Sequence, residues 1–434
     1  MRYMHDQARR VVITGLGVVA PNGIGRAKFW QACIAGRSGI RAISRFDAHE
    51  LSSRIAGEVD FFEPGQFDLT KDETRRLDRG TQLALAAANL AIQDAALSAP
   101  PSLEERDKTG VYIGSTMAYV EEGERIWTEL TSYGSHPPAF SDETHAPAST
   151  LMTHASATSI AAHHQFHGPC MVIATGCSAG ADAIGEAYRT IQDGYAERML
   201  AGGTDSALCP IGLGAFCVMG AVSTAYNEDP ARASRPYDGK RDGFVMAEGA
   251  GVLLLEERSL ALARGAHIYA EIIAFASNSN AFHMTALPAD GQPLQQLLLL
   301  ALAESQIKQE QLDYINSHGS STLPNELAET AAYKAIFGER AYHIPISATK
   351  SMIGHTQGAA SAIEAIVTAL VLDQQIIPPT INQEQADPLC DLDYVPNVAR
   401  PATVNVALTH SSGFGGVNNA LVLVHPEWIT YEGI

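Results

Sequence analysis

Cysteine is sparse in this chain, and none of it is paired by pattern. Cys33, Cys170, Cys177, Cys209, Cys217 and Cys390 show no CxxC spacing, which argues against a disulfide framework or a structural zinc site. Long apolar runs are also missing: the densest, residues 297–303, falls far short of the ~20 residues that cross a bilayer. Residues 1–10 contain no apolar signal core, so a soluble, reduced, cytoplasmic protein is expected. Positive charge is in deficit, with 29 Lys+Arg against 48 Asp+Glu and a net of -19. That disfavours non-specific binding to nucleic acid or membranes, although a local basic patch can still hold an acidic partner. The 37 Gly and 21 Pro come without any low-complexity tract, which points to tight turns rather than disorder. Glycine loops for phosphate are incomplete. Gly413-Phe-Gly-Gly416 lacks the following Lys-Ser/Thr, and Gly15-Leu-Gly17 lacks the third glycine of a dinucleotide fingerprint. His163, His164 and His167 lie near Cys170, but no CxxC or carboxylate completes a ligand set. Neither a cofactor nor a metal is indicated.

What is present is alternation. Residues 10–20, 108–114, 168–175, 198–203 and 249–256 read as strands, with helices over 78–96 and from about 178. Ala84, Ala86, Ala87 and Ala88 give the first helix a small face for close packing. The rhythm then repeats, with strands at 268–275, 314–317, 344–347, 404–409 and 420–424 and helices at 295–305, 326–335 and 356–372. Layered α/β architecture follows. The length favours two or three domains, and a division near 263–266 gives halves of 1–263 and 264–434. Residues 116–153, with Ser135-His-Pro-Pro-Ala139 and Ala146-Pro-Ala148, read as a long irregular segment of functional or interfacial use.

Two stretches share an outline. Residues 173–184 (Ile-Ala-Thr-Gly-Cys-Ser-Ala-Gly-Ala-Asp-Ala-Ile) and 353–363 (Ile-Gly-His-Thr-Gln-Gly-Ala-Ala-Ser-Ala-Ile) each place Gly before a reactive side chain, Gly three residues after it, and an Ala-rich run beyond. The reactive residue is Cys177 in one and His355 in the other. A duplicated unit so equipped predicts one site assembled from both copies. Cys177 sits at a strand-to-helix turn, where free N–H groups and the positive dipole end favour thiolate. The same amides can stabilise an oxyanion on a thioester carbonyl. The other five cysteines read as buried and inert. His318 follows a short strand, at the kind of strand end where α/β folds gather catalytic groups. Lys350, five residues before His355, lowers the pKa of a neighbouring imidazole. A neutral imidazole donates one hydrogen bond and accepts another, which suits an enolate. Glu364 reads as the ion-pair partner of Lys350.

Taken with Val11-Val-Ile-Thr-Gly-Leu-Gly17, Ser234-Arg-Pro-Tyr-Asp238, Arg241-Asp-Gly-Phe244, Ala247-Glu-Gly249 and Gly413-Phe-Gly-Gly416, these motifs resemble the β-ketoacyl-acyl carrier protein synthases of the thiolase-like superfamily over essentially the whole chain. The resemblance implies an α/β, five-layered αβαβα sandwich of two similar halves, usually dimeric. It implies that Cys177 is the nucleophile that holds the acyl chain as a thioester. His318 and His355 would assist decarboxylation of a malonyl extender and stabilise the enolate, with Lys350 and Glu364 anchoring that pair. The N–H groups of Cys177 and Phe414 would form the oxyanion hole, and the Phe414 ring would gate the pocket. Loss of CO₂ would drive condensation, so no cofactor is implied beyond the carrier's phosphopantetheine.

Within the family, Thr175-Gly-Cys-Ser-Ala-Gly180 and Asn325-Glu326 with Glu329-Thr330 are similar to the catalytic α subunits of type II polyketide ketosynthases. Ile376-Ile-Pro-Pro-Thr-Ile-Asn382 leans instead toward the homodimeric fatty-acid enzymes. The polyketide branch implies a heterodimer with a homologous chain-length factor lacking the cysteine; both branches imply an acyl carrier protein. A non-catalytic scaffold subunit is a third reading, against which intact Cys177, His318 and His355 stand. Ser320 replaces the usual Thr and keeps its hydroxyl, whereas Ser361 stands where Gly is usual and is expected to crowd helix packing. Carrier proteins of this class are acidic. Lys71, Arg75 and Arg76, where related synthases carry docking residues, are the candidate docking patch; a solvated helix face explains the same charge pattern.

Overall fold

A computed structural model describes residues 9–97, 101–117, 119–137 and 152–428. In it, all ten residues of β1 (Val11–Ala20) are buried, as expected of a near-continuous apolar run covered on both faces. The first half continues with β2 (Thr109–Gly114), β3 (Cys170–Ile173), β4 (Arg198–Asp205) and β5 (Gly249–Glu257). The second half holds β6 (Ala270–Ser279), β7 (Tyr314–Asn316), β8 (Ile346–Ser347), β9 (Val406–Ser412) and β10 (Val417–Val424). These form one sheet in the order β8-β7-β9-β10-β6-β1-β5-β4-β2-β3, with the short strand Gly23–Ile24 beside β1. Outward from the centre, each half presents the first, fifth, fourth, second and third of its own strands. The directions match as well: first–fifth and fifth–fourth are antiparallel, fourth–second and second–third parallel. β1 joins the halves by pairing with β5 along its length and with β6 through Val11, Val12 and Ile13.

The layering helices are α1 (Arg79–Asp94), α2 (Ala155–His164), α3 (Ala179–Gln192), α4 (Gln292–Ser305), α5 (Leu323–Phe337) and α6 (Ala360–Gln374). α1 and α2 cover the outer face of the first half, α4 and α5 that of the second, and α3 and α6 pack between them. The result is five layers, αβαβα. α6 is buried from Ala360 through Leu372, which is why apolar residues lie on all its faces and the polar Ser361 and Glu364 are paired. α1 lies so close to β1 that a Cβ at Gly17 would sit 1.8 Å from the Ala87 carbonyl oxygen. The alanine face of α1 and the glycines of β1 therefore explain each other. No helix among the described residues is long and apolar enough to cross a membrane.

Two expectations need correction. Residues 116–153 are not wholly irregular, because Val120–Thr131 is a helix. Arg125 pairs with Glu122 and Glu129 on its surface, local pairs that support helix whatever the flanking prolines do. Ala146-Pro-Ala148 lies outside the described residues. Cys170 is exposed on the outer strand β3 and Cys217 is half-buried; only Cys33, Cys209 and Cys390 are buried as expected.

Candidate active site

Between β3 and α3 the chain makes a tight turn over Gly176–Ser178. Gly176 has φ +65°, and a Cβ there would lie 2.9 Å from the Phe414 carbonyl oxygen. Glycine is the residue that tolerates both the left-handed backbone and the close approach. The second half fastens this turn: Ser411 Oγ donates to the Cys177 carbonyl at 3.2 Å, Asn419 Nδ2 to the Ser178 carbonyl at 2.7 Å, and Ser178 Oγ to the Val417 carbonyl at 2.9 Å. From the first half, Thr116 Oγ1 donates to the Gly176 carbonyl at 2.6 Å. Cys177 is only 7% exposed, and the backbone N–H dipoles of Phe414 and of Cys177 itself act on its thiol. Burial nevertheless pushes the thiol up to about 11, against the lowering effect of the Lys350 charge and those two N–H groups. The expectation of a resting thiolate is corrected: desolvation outweighs the local dipoles.

His318 stands just past the carboxyl end of β7 and His355 after the turn at Gly354; both are 4% exposed. Their ring centroids are 5.4 Å apart at an angle of 77°. Lys350 Nζ lies 3.3 Å from His318 Nδ1, donates to the His318 carbonyl at 2.7 Å and forms an ion pair with Glu364. An ammonium can only donate, so Nδ1 of His318 is the acceptor. At His355 the Gln357 N–H donates to Nδ1 at 3.1 Å. On both rings the proton is thereby assigned to Nε2. Burial first, then the Lys350 charge, holds both imidazoles well below their ordinary pKa. The site therefore combines two neutral Nε2–H donors with a protonated thiol. Burial raises Glu364 to about 7 despite its partner.

Cys177, His318, His355 and Phe414 open on one cavity of about 660 Å³, shared with Phe244 and Met284. Phe244 packs edge-on against His355, with centroids 5.4 Å apart. Phe414, at 38% exposure, lies over Phe216 with centroids 6.3 Å apart. A second cavity of about 710 Å³ is walled by Arg45, Arg79, Glu121 and Ser206. Arg45 pairs there with Glu121, Arg45 and Arg79 both pair with Glu248, and Cys177, His318, His355 and Phe414 do not line it.

Several supporting residues escape a reading of the sequence. Asp205 accepts from Ser115 Oγ, Thr116 N–H, Met117 N–H and Gly358 N–H at 2.6–3.0 Å, tying the end of β2 to the turn after His355. Ser361 does not crowd the helices: its hydroxyl accepts the Ala181 N–H at 2.9 Å, satisfying a donor left free in the first turn of α3. Ser320 Oγ bonds Thr322 Oγ1 at 2.9 Å. Lys71, Arg75 and Arg76 share the short helix Lys71–Arg76, whose N-terminus is capped by Thr70 and Glu73. Arg75 and Arg76 both pair with Asp72 at 2.9 Å. His163, His164 and His167 take three separate partners, Glu73, Asn89 and Asp107.

A duplicated, five-layered fold with a cysteine turn from one half facing a histidine pair from the other is that of a thiolase-like acyltransferase. The chain belongs to the β-ketoacyl synthase family: residues 8–261 match its N-terminal domain and residues 269–384 its C-terminal domain. It is 44% identical over 424 residues to the tetracenomycin polyketide synthase ketoacyl synthase alpha subunit of Streptomyces glaucescens, covering 96% of this chain and 98% of that protein. Identity to 3-oxoacyl-[acyl-carrier-protein] synthase 2 of a Synechocystis strain is 42% over 415 residues, again 96% and 98%. Among solved structures, a type II polyketide ketosynthase in complex with its acyl-carrier protein superposes with a TM-score of 0.89 at 38% identity, covering 97% of this chain and 100% of that one. The ishigamide ketosynthase/chain length factor superposes with a TM-score of 0.88 at 33% identity, covering 96% and 99%.

Proposed function

We propose that this chain is the catalytic ketosynthase of a type II polyketide synthase, joining a malonyl unit to an acyl chain held on Cys177. The observation that carries the reading is the meeting of the Cys177 turn with two Nε2-protonated imidazoles in one cavity. The Cys177 sulfur attacks the thioester carbonyl of an acyl carrier, and its proton leaves with the carrier thiol. The oxyanion of that step falls to the N–H groups of Cys177 and Phe414. Malonyl carrier then loses CO₂; the electrons of the broken C–C bond move into the thioester carbonyl, and the enolate oxygen takes the Nε2–H bonds of His318 and His355. The enolate carbon attacks the Cys177 thioester, the tetrahedral intermediate expels the thiolate, and a β-ketoacyl chain two carbons longer leaves on the carrier. Lys350, anchored by Glu364, orients His318, and its charge helps keep both imidazoles neutral. Every electron pair is supplied by the substrates, so the chemistry needs no cofactor beyond the carrier's phosphopantetheine.

Partners follow from the same reading: an acyl carrier protein docked near Lys71, Arg75 and Arg76, and a homologous chain-length factor. The outer strand β3, with Cys170 and Met171 exposed, is a sheet edge with no further strand beside it among the described residues, of the kind that proteins cover. The 42% identity to a fatty-acid type synthase favours a second reading, a homodimeric 3-oxoacyl-carrier synthase. The boundary between the halves is placed at 263/264. The test is Cys177→Gln, expected to abolish condensation while CO₂ release from malonyl carrier continues; condensation by this variant would remove Cys177 from the mechanism. Purification in the native host separates the two readings: a cysteine-lacking homologue comes down with the chain in the first, and an active homodimer in the second.

A further inference from the structure

The strand that brings Ser411 to the Cys177 carbonyl turns its neighbour, His410, to the opposite side, as alternation along β9 requires. His410 is 1% exposed and has no part in the steps above. Its Nε2 lies 2.5 Å from Tyr333 Oη and 3.5 Å from Glu329 Oε1, both residues of α5. Glu329 is itself buried, and its carboxyl group accepts the Tyr237 hydroxyl at 2.6 Å and the Gly319 N–H at 3.2 Å. This carboxyl group therefore grips the turn that presents His318. Nδ1 of His410 has no partner among the described residues. A buried N–H without an acceptor costs more than a bare lone pair, which puts the ring proton on Nε2, at the phenol oxygen of Tyr333. Burial and the Lys350 charge press His410 down to about 3, so the ring offers a neutral N–H and no charge.

We propose that His410 is a positioning residue for His318: its ring, fixed at Nε2 by Tyr333 Oη and packed within 3.5 Å of Glu329 Oε1, backs the Glu329 carboxyl group, and Glu329 holds the His318–Gly319 turn from behind. The inference rests on reading His318 as a donor to the enolate oxygen. Decarboxylation then depends on that donor's position, while acyl transfer to Cys177 uses the backbone N–H groups of Cys177 and Phe414. A loosened His318 turn slows the first half-reaction and spares the second.

The experiment compares full-length wild type, H410L and H410Q, each with its partner subunit. Acyl transfer to Cys177 is read by intact mass, and CO₂ release from malonyl carrier is read in the C177Q background. H410L is expected to load Cys177 within about twofold of wild type and to release CO₂ about tenfold more slowly, the scale of a displacement well under 1 Å. H410Q, whose amide N–H replaces Nε2–H, recovers most of the loss. Y333F, which removes the hydroxyl at the same nitrogen but keeps the core filled, gives the same selective slowing and serves if H410L does not fold. Undiminished CO₂ release in H410L and Y333F, equal losses in both half-reactions, or no advantage of Gln over Leu overturns the proposal. If wild type neither loads Cys177 nor releases CO₂, it is the reading of the site itself that fails.

Discussion

At the scale of single residues the decisive quantity is burial. Cys177 sits at a helix start near the N–H dipoles of Phe414 and of its own backbone, yet enclosure pushes its thiol up to about 11. The reactive species is the thiolate, whose fraction rises about tenfold per pH unit below that value. Alkylation of Cys177 by iodoacetamide is expected to climb steadily from pH 7 to pH 10. A plateau near pH 8 would mean that the local N–H groups outweigh desolvation. His318 and His355 are displaced the other way, held neutral by burial and then by Lys350, so neither adds an inflection in that range. In the proposed mechanism, attack by Cys177 is therefore coupled to loss of its proton. Both directions favour a thiol beside neutral imidazoles over a preformed thiolate–imidazolium pair.

At the scale of elements, the turn between β3 and α3 is where geometry is least forgiving. Gly176→Ala places a side chain at φ +65° and 2.9 Å from the Phe414 carbonyl oxygen. The left-handed backbone alone costs about 1–2 kcal/mol, and the forced shift moves the loop that supplies the Phe414 N–H. Condensation is expected to fall at least about tenfold, since small displacements of reacting groups are amplified in rate. Ser361→Ala deletes only the acceptor for the Ala181 N–H. It is expected to lower stability by about 1 kcal/mol in urea unfolding, with steady-state activity held within about twofold. The reverse ranking in activity would contradict this assignment of roles.

What the sequence disclosed is local. The strands were legible because a strand covered on both faces leaves an apolar run, and the turns because Gly176 and Gly354 mark a backbone that other residues avoid. His318 at the end of β7 and the pairing of Lys350 with Glu364 were legible for the same reason. The helix Val120–Thr131 was not, because prolines and serines at 135–148 outweighed the charge spacing of Glu122, Arg125 and Glu129. The contacts of Asp205, Ser411 and Glu329 were hidden for a different cause. Asp205 meets Gly358 across 153 positions and Ser411 meets Cys177 across 234, and no periodicity encodes such contacts. The thiol of Cys177 was misread because the helix dipole can be inferred from a turn, whereas enclosure is a property of the assembled fold.

At the scale of the molecule, the site exists only where the two halves pack. The first half supplies Cys177 and, through Asp205, clamps the turn after His355. The second supplies both histidines and Lys350 and, through Ser411 and Asn419, clamps the turn that bears Cys177. Each half thus holds the other's reactive group in register, with α3 and α6 packed between them. This reciprocity is the physical content of the duplicated Gly-Cys and Gly-His outlines. The measurement that tests it most directly is mass spectrometry of the chain after incubation with an acyl-loaded carrier protein. The account predicts one acyl increment on the peptide bearing Cys177, discharged on adding malonyl carrier as a β-ketoacyl product two carbons longer. An unmodified Cys177, or an increment on any other cysteine, would contradict it.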